Sequence, residues 1–287
     1  MNFLALLYLT LLLRGPEDFA IRHGNRVITG PVTALTVLPG KQIAFEAAGA
    51  SALARDGRLA QHGSRWTWTA PAQPGLYPIH VIGPNGRDSL TINAFVLVPY
   101  AALRGERING YRIGSYPVRP LRGQSIYRPP AGFIEVTPAN RNALVSPHFR
   151  LEQFLCKQAG GYPKYVVLDY QLIQKLESLL ARVREAGYPV STFTIMSGYR
   201  TPAYNQSLGN VVYSRHTWGA AADIFVDEDG DGVMDDLNQD GRHDVADAEV
   251  LYRLFDPIAE GGLGKYRPTA AHGAFVHVDV RDRKARW

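Results

Sequence analysis

Cysteine is almost missing from this chain: Cys156 is the single one in 287 residues. One thiol forms no internal disulfide and excludes a cysteine-based zinc finger. It stands in Leu151-Glu152-Gln153-Phe154-Leu155-Cys156, which reads as a helix opened by Ser146-Pro147-His148-Phe149, so a core residue is expected rather than a nucleophile. No serine- or cysteine-hydrolase motif is present, and no nucleic-acid-binding motif accompanies the scattered basic residues. Long apolar runs are lacking too. The run Phe3 to Leu13 covers eleven residues, short of the roughly 20 that a membrane-spanning helix needs. Its length suits the apolar core of a secretory signal, although no basic residue precedes it and no small-x-small site follows. Residues 1–20 are read as an export segment, against a buried strand or helix of the first domain.

What the chain does contain is ordinary for a soluble globular protein: 46% hydrophobic and 20% charged residues, enough for one large or two medium domains. From Arg26 to Pro99 the pattern is β. Val32 to Leu38, Gln42 to Ala47, Trp66 to Thr69, Tyr77 to Ile82 and Ser89 to Val98 are strand-like runs split by turns such as Pro39-Gly40 and Pro84-Asn85-Gly86. Strands at regular spacing without helices predict a small β-sandwich over residues 26–99. The segment Trp66-Thr67-Trp68-Thr69-Ala70-Pro71 resembles an immunoglobulin-like module. Trp66 and Trp68 share a face and are read as core aromatics, with a carbohydrate-stacking pair as the minority reading.

Residues 100–135, rich in Gly, Pro, Arg and Tyr, read as a connector that wraps against a domain, since their aromatic content is too high for a solvated tether. A second domain follows over 136–287. Leu172, Leu176, Leu179, Leu180 and Val183 recur at helical spacing between Asp169 and Ala186. Val190 to Met196 reads as a strand that delivers Ser197-Gly198-Tyr199-Arg200 to its end, where loops carry function.

The chemistry concentrates in Ser214-Arg215-His216-Thr217-Trp218-Gly219-Ala220-Ala221-Ala222-Asp223, which runs into the apolar Ile224-Phe225-Val226. An aspartate entering a buried strand needs a partner. A metal shared with His216 is one; a turn-capping His216 and an arginine-paired Asp223 are the other reading, and the residues alone leave both open. In Phe275-Val276-His277-Val278-Asp279, alternation places His277 and Asp279 on the face opposite the valines. His216, Asp223 and His277 would form a two-histidine, one-carboxylate set, which suits zinc with a position left for water.

These three motifs together, Ser197-Gly198-Tyr199-Arg200-Thr201-Pro202, Ser214-x-His216-x-x-Gly219-x-Ala221-x-Asp223 and Phe275-Val276-His277-Val278-Asp279, resemble the zinc D-alanyl-D-alanine peptidases of the Hedgehog-type fold. The resemblance implies an α+β domain after the β-sandwich, zinc on His216, Asp223 and His277, and Arg200 on the substrate or its developing oxyanion. Tyr199 and Ser214 are the further substrate-binding candidates. Better-known members carry a general base at positions that are Ala274 and Phe275 here, so Asp279 and His272 become the catalytic candidates, with Asp279 equally a ligand-orienting residue. The segment Arg281 to Trp287 resembles the basic stretch and tryptophan of a cell-wall endopeptidase subgroup. Periplasmic or secreted activity on peptidoglycan stem peptides is the implied function. A non-catalytic wall-binding protein and a secreted peptidase of ordinary peptides are the alternatives.

The insert 227–247 is acidic. Asp236, Asn238, Asp240 and Asp247 fall at positions one, three, five and twelve of a calcium loop, with Gly241 at the turn. It resembles the calcium loops of dockerin and thrombospondin-type repeats. Asp227, Asp229, Asp231 and Asp235 begin a second such cluster whose twelfth position is Asn238. Structural calcium is therefore expected beside zinc, against a solvated acidic loop. Residues 227–249 hold ten Asp or Glu and one Arg; the remainder carries thirty basic and sixteen acidic residues, a net +14 that suits an anionic polymer.

Overall fold

The structure, a computed structural model, describes residues 19–287, so the export segment expected over 1–20 lies essentially outside the described residues. Strands fill residues 20–96: β1 (Ala20–His23), β2 (Arg26–Thr29), β3 (Val32–Val37), β4 (Gln42–Glu46), β5 (Ser51–Ala54), β6 (Arg58–His62), β7 (Arg65–Thr69), β8 (Gly75–Ile82) and β9 (Ser89–Val96). They form two sheets, β2-β1-β4-β7-β6 and β3-β9-β8-β5, in which only β3 and β9 run parallel. Ile43, Phe45, Trp68, Ile79 and Ile92 from both sheets share one core. Trp66 and Trp68 are both buried, which removes them from any carbohydrate surface. The strand pattern missed β1, β2, β5 and β6; β5 and β6 are short and mostly exposed or half-buried, so little apolar alternation marks them.

The chain then builds β10 (Val98–Pro99), β11 (Arg107–Ile108), β12 (Tyr111–Arg112), β13 (Gly132–Val136), β14 (Leu144–Ser146), β15 (Phe149–Arg150) and β16 (Lys164–Val166). The helix expected around Ser146 to Cys156 is absent. Ser146 and Phe149 instead close the β14–β15 hairpin, and only the 3-10 turn Leu151–Phe154 follows. Pro147 interrupts the segment after Ser146, and Phe149, Leu151 and Phe154 are buried from this irregular path. Cys156 is buried in the same core.

The second half adds α1 (Tyr170–Glu185), β17 (Thr194–Ser197), α2 (Pro202–Ser207), β18 (Ala221–Phe225), α3 (Val245–Phe255), β19 (Gly262–Tyr266), β20 (Phe275–Asp279) and β21 (Ala285–Arg286). Asp169 caps α1 by accepting from the Gln171 amide, and Leu172, Leu176, Leu179, Leu180 and Val183 form its buried stripe. Each such side chain contributes roughly 1.5–3 kcal/mol by leaving water. The sheet has the order β17-β18-β20-β19-β21. Ala222, Ile224, Val276, Val278 and Leu263 share a core with residues of α1 and α3 on one face. The opposite face is left for chemistry. The fold is thus α+β, mostly strands with few helices, and no described helix is long and apolar enough to cross a membrane.

Candidate metal centre

Asp223 and His277 are cross-strand partners in the β18–β20 register, so strand pairing alone brings their side chains together. His216 arrives from the 3-10 turn Arg215–Trp218 that precedes β18. Gly219 ends that turn at φ +63°, where an added Cβ would overlap the Val167 carbonyl. Only glycine lets the chain reverse there and enter β18 two residues later.

Among the described residues, one donor atom from each of His216, Asp223 and His277 lies within 4.8 Å of the others. Asp223 Oδ1 stands 3.3 Å from His216 Nε2 and 2.7 Å from His277 Nδ1. The second ring nitrogens are engaged elsewhere. His216 Nδ1 donates to the Gly198 carbonyl at 2.7 Å, and His277 Nε2 faces Asp279 Oδ2 at 3.2 Å. Two imidazoles and a carboxylate converge, each imidazole anchored through its other nitrogen. That donor set fits zinc with one coordination position open.

The charges agree with this arrangement. Burial alone would raise the Asp223 carboxyl, but His216 and His277 hold it far below the carboxylate range. Burial lowers His216 against the pull of Asp223. His277 is also buried, yet its bonds to Asp223 and Asp279 hold its imidazole above the ordinary value. A metal bound here would take the place of the proton that His277 Nδ1 shares with Asp223.

Arg200 leaves the end of β17 and reaches the same point. Its Nε donates to Ser197 Oγ at 2.8 Å and its Nη2 to Asp223 Oδ2 at 2.5 Å. The structure therefore brings together four of the residues singled out in the sequence: Arg200, His216, Asp223 and His277. The arginine partner and the metal, posed as alternatives for Asp223, are compatible, because its two carboxylate oxygens serve different neighbours.

Other candidates stand elsewhere. Asp279 is fully buried, and its oxygens accept from the Gly262 amide, the Arg281 amide and the Arg281 guanidinium while facing His277. So enclosed, with one oxygen against His277 Nε2, it has the contacts of a residue that orients His277. Tyr199 is also buried beneath the site, its hydroxyl 3.0 Å from that of Tyr116, which corrects the expectation of substrate contact. Ser214 precedes the 3-10 turn, and its carbonyl accepts from Thr217. His272 is half-buried, with Nδ1 turned to the Gly273 carbonyl and its ring edge-on to Phe275 at 5.0 Å. Phe275 lies on the same strand face as His277, so His272 borders that face.

Sequence reasoning missed how the His216 turn is held. Residues of the connector grip it from outside: Tyr116 Oη donates to the Thr217 carbonyl, Arg215 to Ile126, Trp218 Nε1 to Arg128 and Tyr213 to Arg119, all at 2.8–3.0 Å. The tyrosine content of the connector was the signal, but its target was not legible. Trp287, singled out in the sequence only through the resemblance of its segment, places its ring 5.4 Å from that of His277.

In the acidic insert, Asp227, Asp229 and Asp235 come within 4.8 Å of one another, and burial together with its acidic neighbours raises the Asp235 carboxyl. The second set is not gathered in this way. Asp236 accepts from the Asp240 and Gly241 amides. Asp247 is buried and accepts from Leu237, Asn238 and Asp244, which caps α3. Asp231 accepts from the Val233 amide, while Asn238 and Asp240 bond to each other.

Residues 147–251 match the family model of Peptidase M15. That match supports a likeness to this family in the C-terminal half. The matched segment holds Arg200, His216 and Asp223; His277 lies beyond it, on β20. M15 peptidases are zinc-dependent metallopeptidases, in accord with the donor set. No curated protein and no solved structure matches the chain.

Proposed function

We propose that the chain is a zinc peptidase of the DD-peptidase type that hydrolyses peptidoglycan peptides, as a D-Ala–D-Ala carboxypeptidase or a cross-link endopeptidase. The observation that carries this reading is the meeting of His216, Asp223, His277 and Arg200 at one buried point. Zinc, when bound, supplies an activated water and a Lewis acid for the scissile carbonyl. Arg200, whose Nη1 has no protein partner among the described residues, is placed to hold a substrate carboxylate or the charge that develops on the carbonyl oxygen. Asp279 keeps the His277 ring in register, and the enclosed side chains exclude water from the ligands. His272 is the proton carrier we propose, since it borders the ligand face and is not enclosed.

The basic body outside the insert suits an anionic wall polymer, and such a substrate places the protein in the periplasm or outside the cell. The two N-terminal sheets around Trp68 support an immunoglobulin-like β-sandwich. The Asp227 cluster supports structural calcium, checked by whether calcium raises the melting temperature and Asp227→Asn cancels the rise. A second reading, a wall-binding protein that keeps the fold without catalysis, is favoured by one observation: Ala274 and Phe275 offer no base.

The deciding experiment pairs zinc content with peptidoglycan digestion for wild type and His277→Ala. One zinc per chain, with muropeptide products lost in the variant, is the expected result. Zinc without products would favour the binding protein or a peptidase of ordinary peptides. Absence of zinc after zinc loading would remove the site.

A further inference from the structure

Three of the four tryptophans, Trp66, Trp68 and Trp218, are buried; Trp287 is 42% exposed. Its exposure is unusual because the ring is firmly held. Trp287 pairs through its backbone with Leu263 and Lys265, its Nε1 donates to Tyr266 Oη at 2.6 Å, and the Arg281 guanidinium lies 5.0 Å from the ring centre. Gly264 makes the seat: any Cβ there would overlap the indole. Gly264 is the cross-strand partner of His277, which is why the indole stands beside a metal-site ligand. Tyr266, 36% exposed, is stacked at 4.5 Å on Phe275. A partly exposed aromatic wall thus borders one side of the metal centre, formed by Trp287 and Tyr266, with the buried Phe275 behind Tyr266 and His272 beyond it.

A rigid aromatic group left partly in water beside a reaction centre forgoes burial that a neighbouring side chain could provide. Trp287 and Tyr266 are partly exposed, His272 stands at the margin, and the Arg281 guanidinium lies over part of the Trp287 ring. An aliphatic side chain would call for enclosure on several sides. A sugar ring has one apolar C–H face for the aromatic surface and polar edges for those donors. We propose that Trp287 and Tyr266 form a stacking wall that receives a pyranose ring of the substrate's glycan while the attached peptide lies over the metal centre. This rests on the peptidoglycan reading and adds that sugar-bearing fragments are the preferred substrate.

The test uses the full chain as wild type, Trp287→Ala and Trp287→Phe, with zinc content measured for each. Two substrates are compared: a disaccharide-bearing cross-linked muropeptide and the same cross-linked peptide stripped of sugar. Trp287→Ala is expected to lose about tenfold in kcat/KM on the sugar-bearing substrate, mainly through KM, with little change on the stripped peptide. Trp287→Phe should recover most of the loss. Equal losses on both substrates, or no loss, would overturn the proposal. A second readout does not need turnover. Because Trp287 is the exposed indole, titration with the free disaccharide should alter wild-type tryptophan emission and shield it from acrylamide, and Trp287→Phe should show neither change. If wild type cleaves neither substrate, the peptidase reading fails, and this titration alone decides: a response lost in Trp287→Phe upholds the stacking wall, and no response overturns it.

Discussion

Asp279 and His272 separate two jobs that their sequence positions left joined. Asp279 is enclosed by an arginine, two amides and His277, so its loss should be felt by the metal first. Asp279→Asn is expected to weaken zinc binding about 10- to 100-fold, measured by chelator competition. Unchanged zinc affinity with abolished turnover would instead return Asp279 to the role of base. His272→Ala makes the opposite demand: zinc content unchanged and kcat lowered by about a hundredfold or more. Arg200 spans both proposed roles, since it bonds to the candidate ligand Asp223 and is the group proposed to hold the substrate, so a substitution there is less informative than either of these.

At the scale of elements, the metal site is a sheet register joined to one tight turn. The β18–β20 pairing supplies two of the candidate ligands, and the turn ending at Gly219 supplies the third. Gly219→Ala would force a left-handed backbone on alanine and drive its methyl into the Val167 carbonyl. A loss of at least about 2 kcal/mol in unfolding free energy is expected, together with reduced zinc retention. Denaturant unfolding and metal analysis check both, and a variant that unfolds like wild type would refute this account of the turn.

At the scale of the whole molecule, Lys175 ties α1 to the sheet behind the site. Its Nζ donates to the carbonyls of Glu260, Gly262 and Asp279 at 2.5–3.1 Å, and burial lowers its pKa to about 8. Between about 8 and the ordinary lysine value of 10.5 the unfolded chain binds more protons than the folded one. Unfolding free energy from this group therefore rises with pH across that window, and the gain is lost as pH falls back through it. Lys175→Met should abolish that slope and cost about 1–3 kcal/mol at neutral pH, because the buried carbonyls lose their donor. The two halves are also joined. Phe95 of β9 lies in the core cluster of the second half, and Asn93 Nδ2 donates to the Leu144 carbonyl at 2.8 Å. Calorimetry should show one transition, and Phe95→Ala should lower stability by about 3–5 kcal/mol.

Much of this was legible in the chain itself. Local patterns determined α1, the alternation that splits β20 into a valine face and a polar face, and the candidate donors His216, Asp223 and His277, which the structure brings together. These signals are short-range: helical period, strand period and a glycine where the backbone must turn. The acidic insert shows the limit of such spacing, since Asp247 matches a calcium position yet is spent capping α3. The 3-10 turn where a helix was expected, the burial of Tyr199, the enclosure of Asp279 and the placing of Trp287 beside His277 were decided only by tertiary structure. Each depends on which distant groups arrive at one point, and a hydrogen bond from Tyr116 to Thr217 leaves no trace in the pattern of either segment.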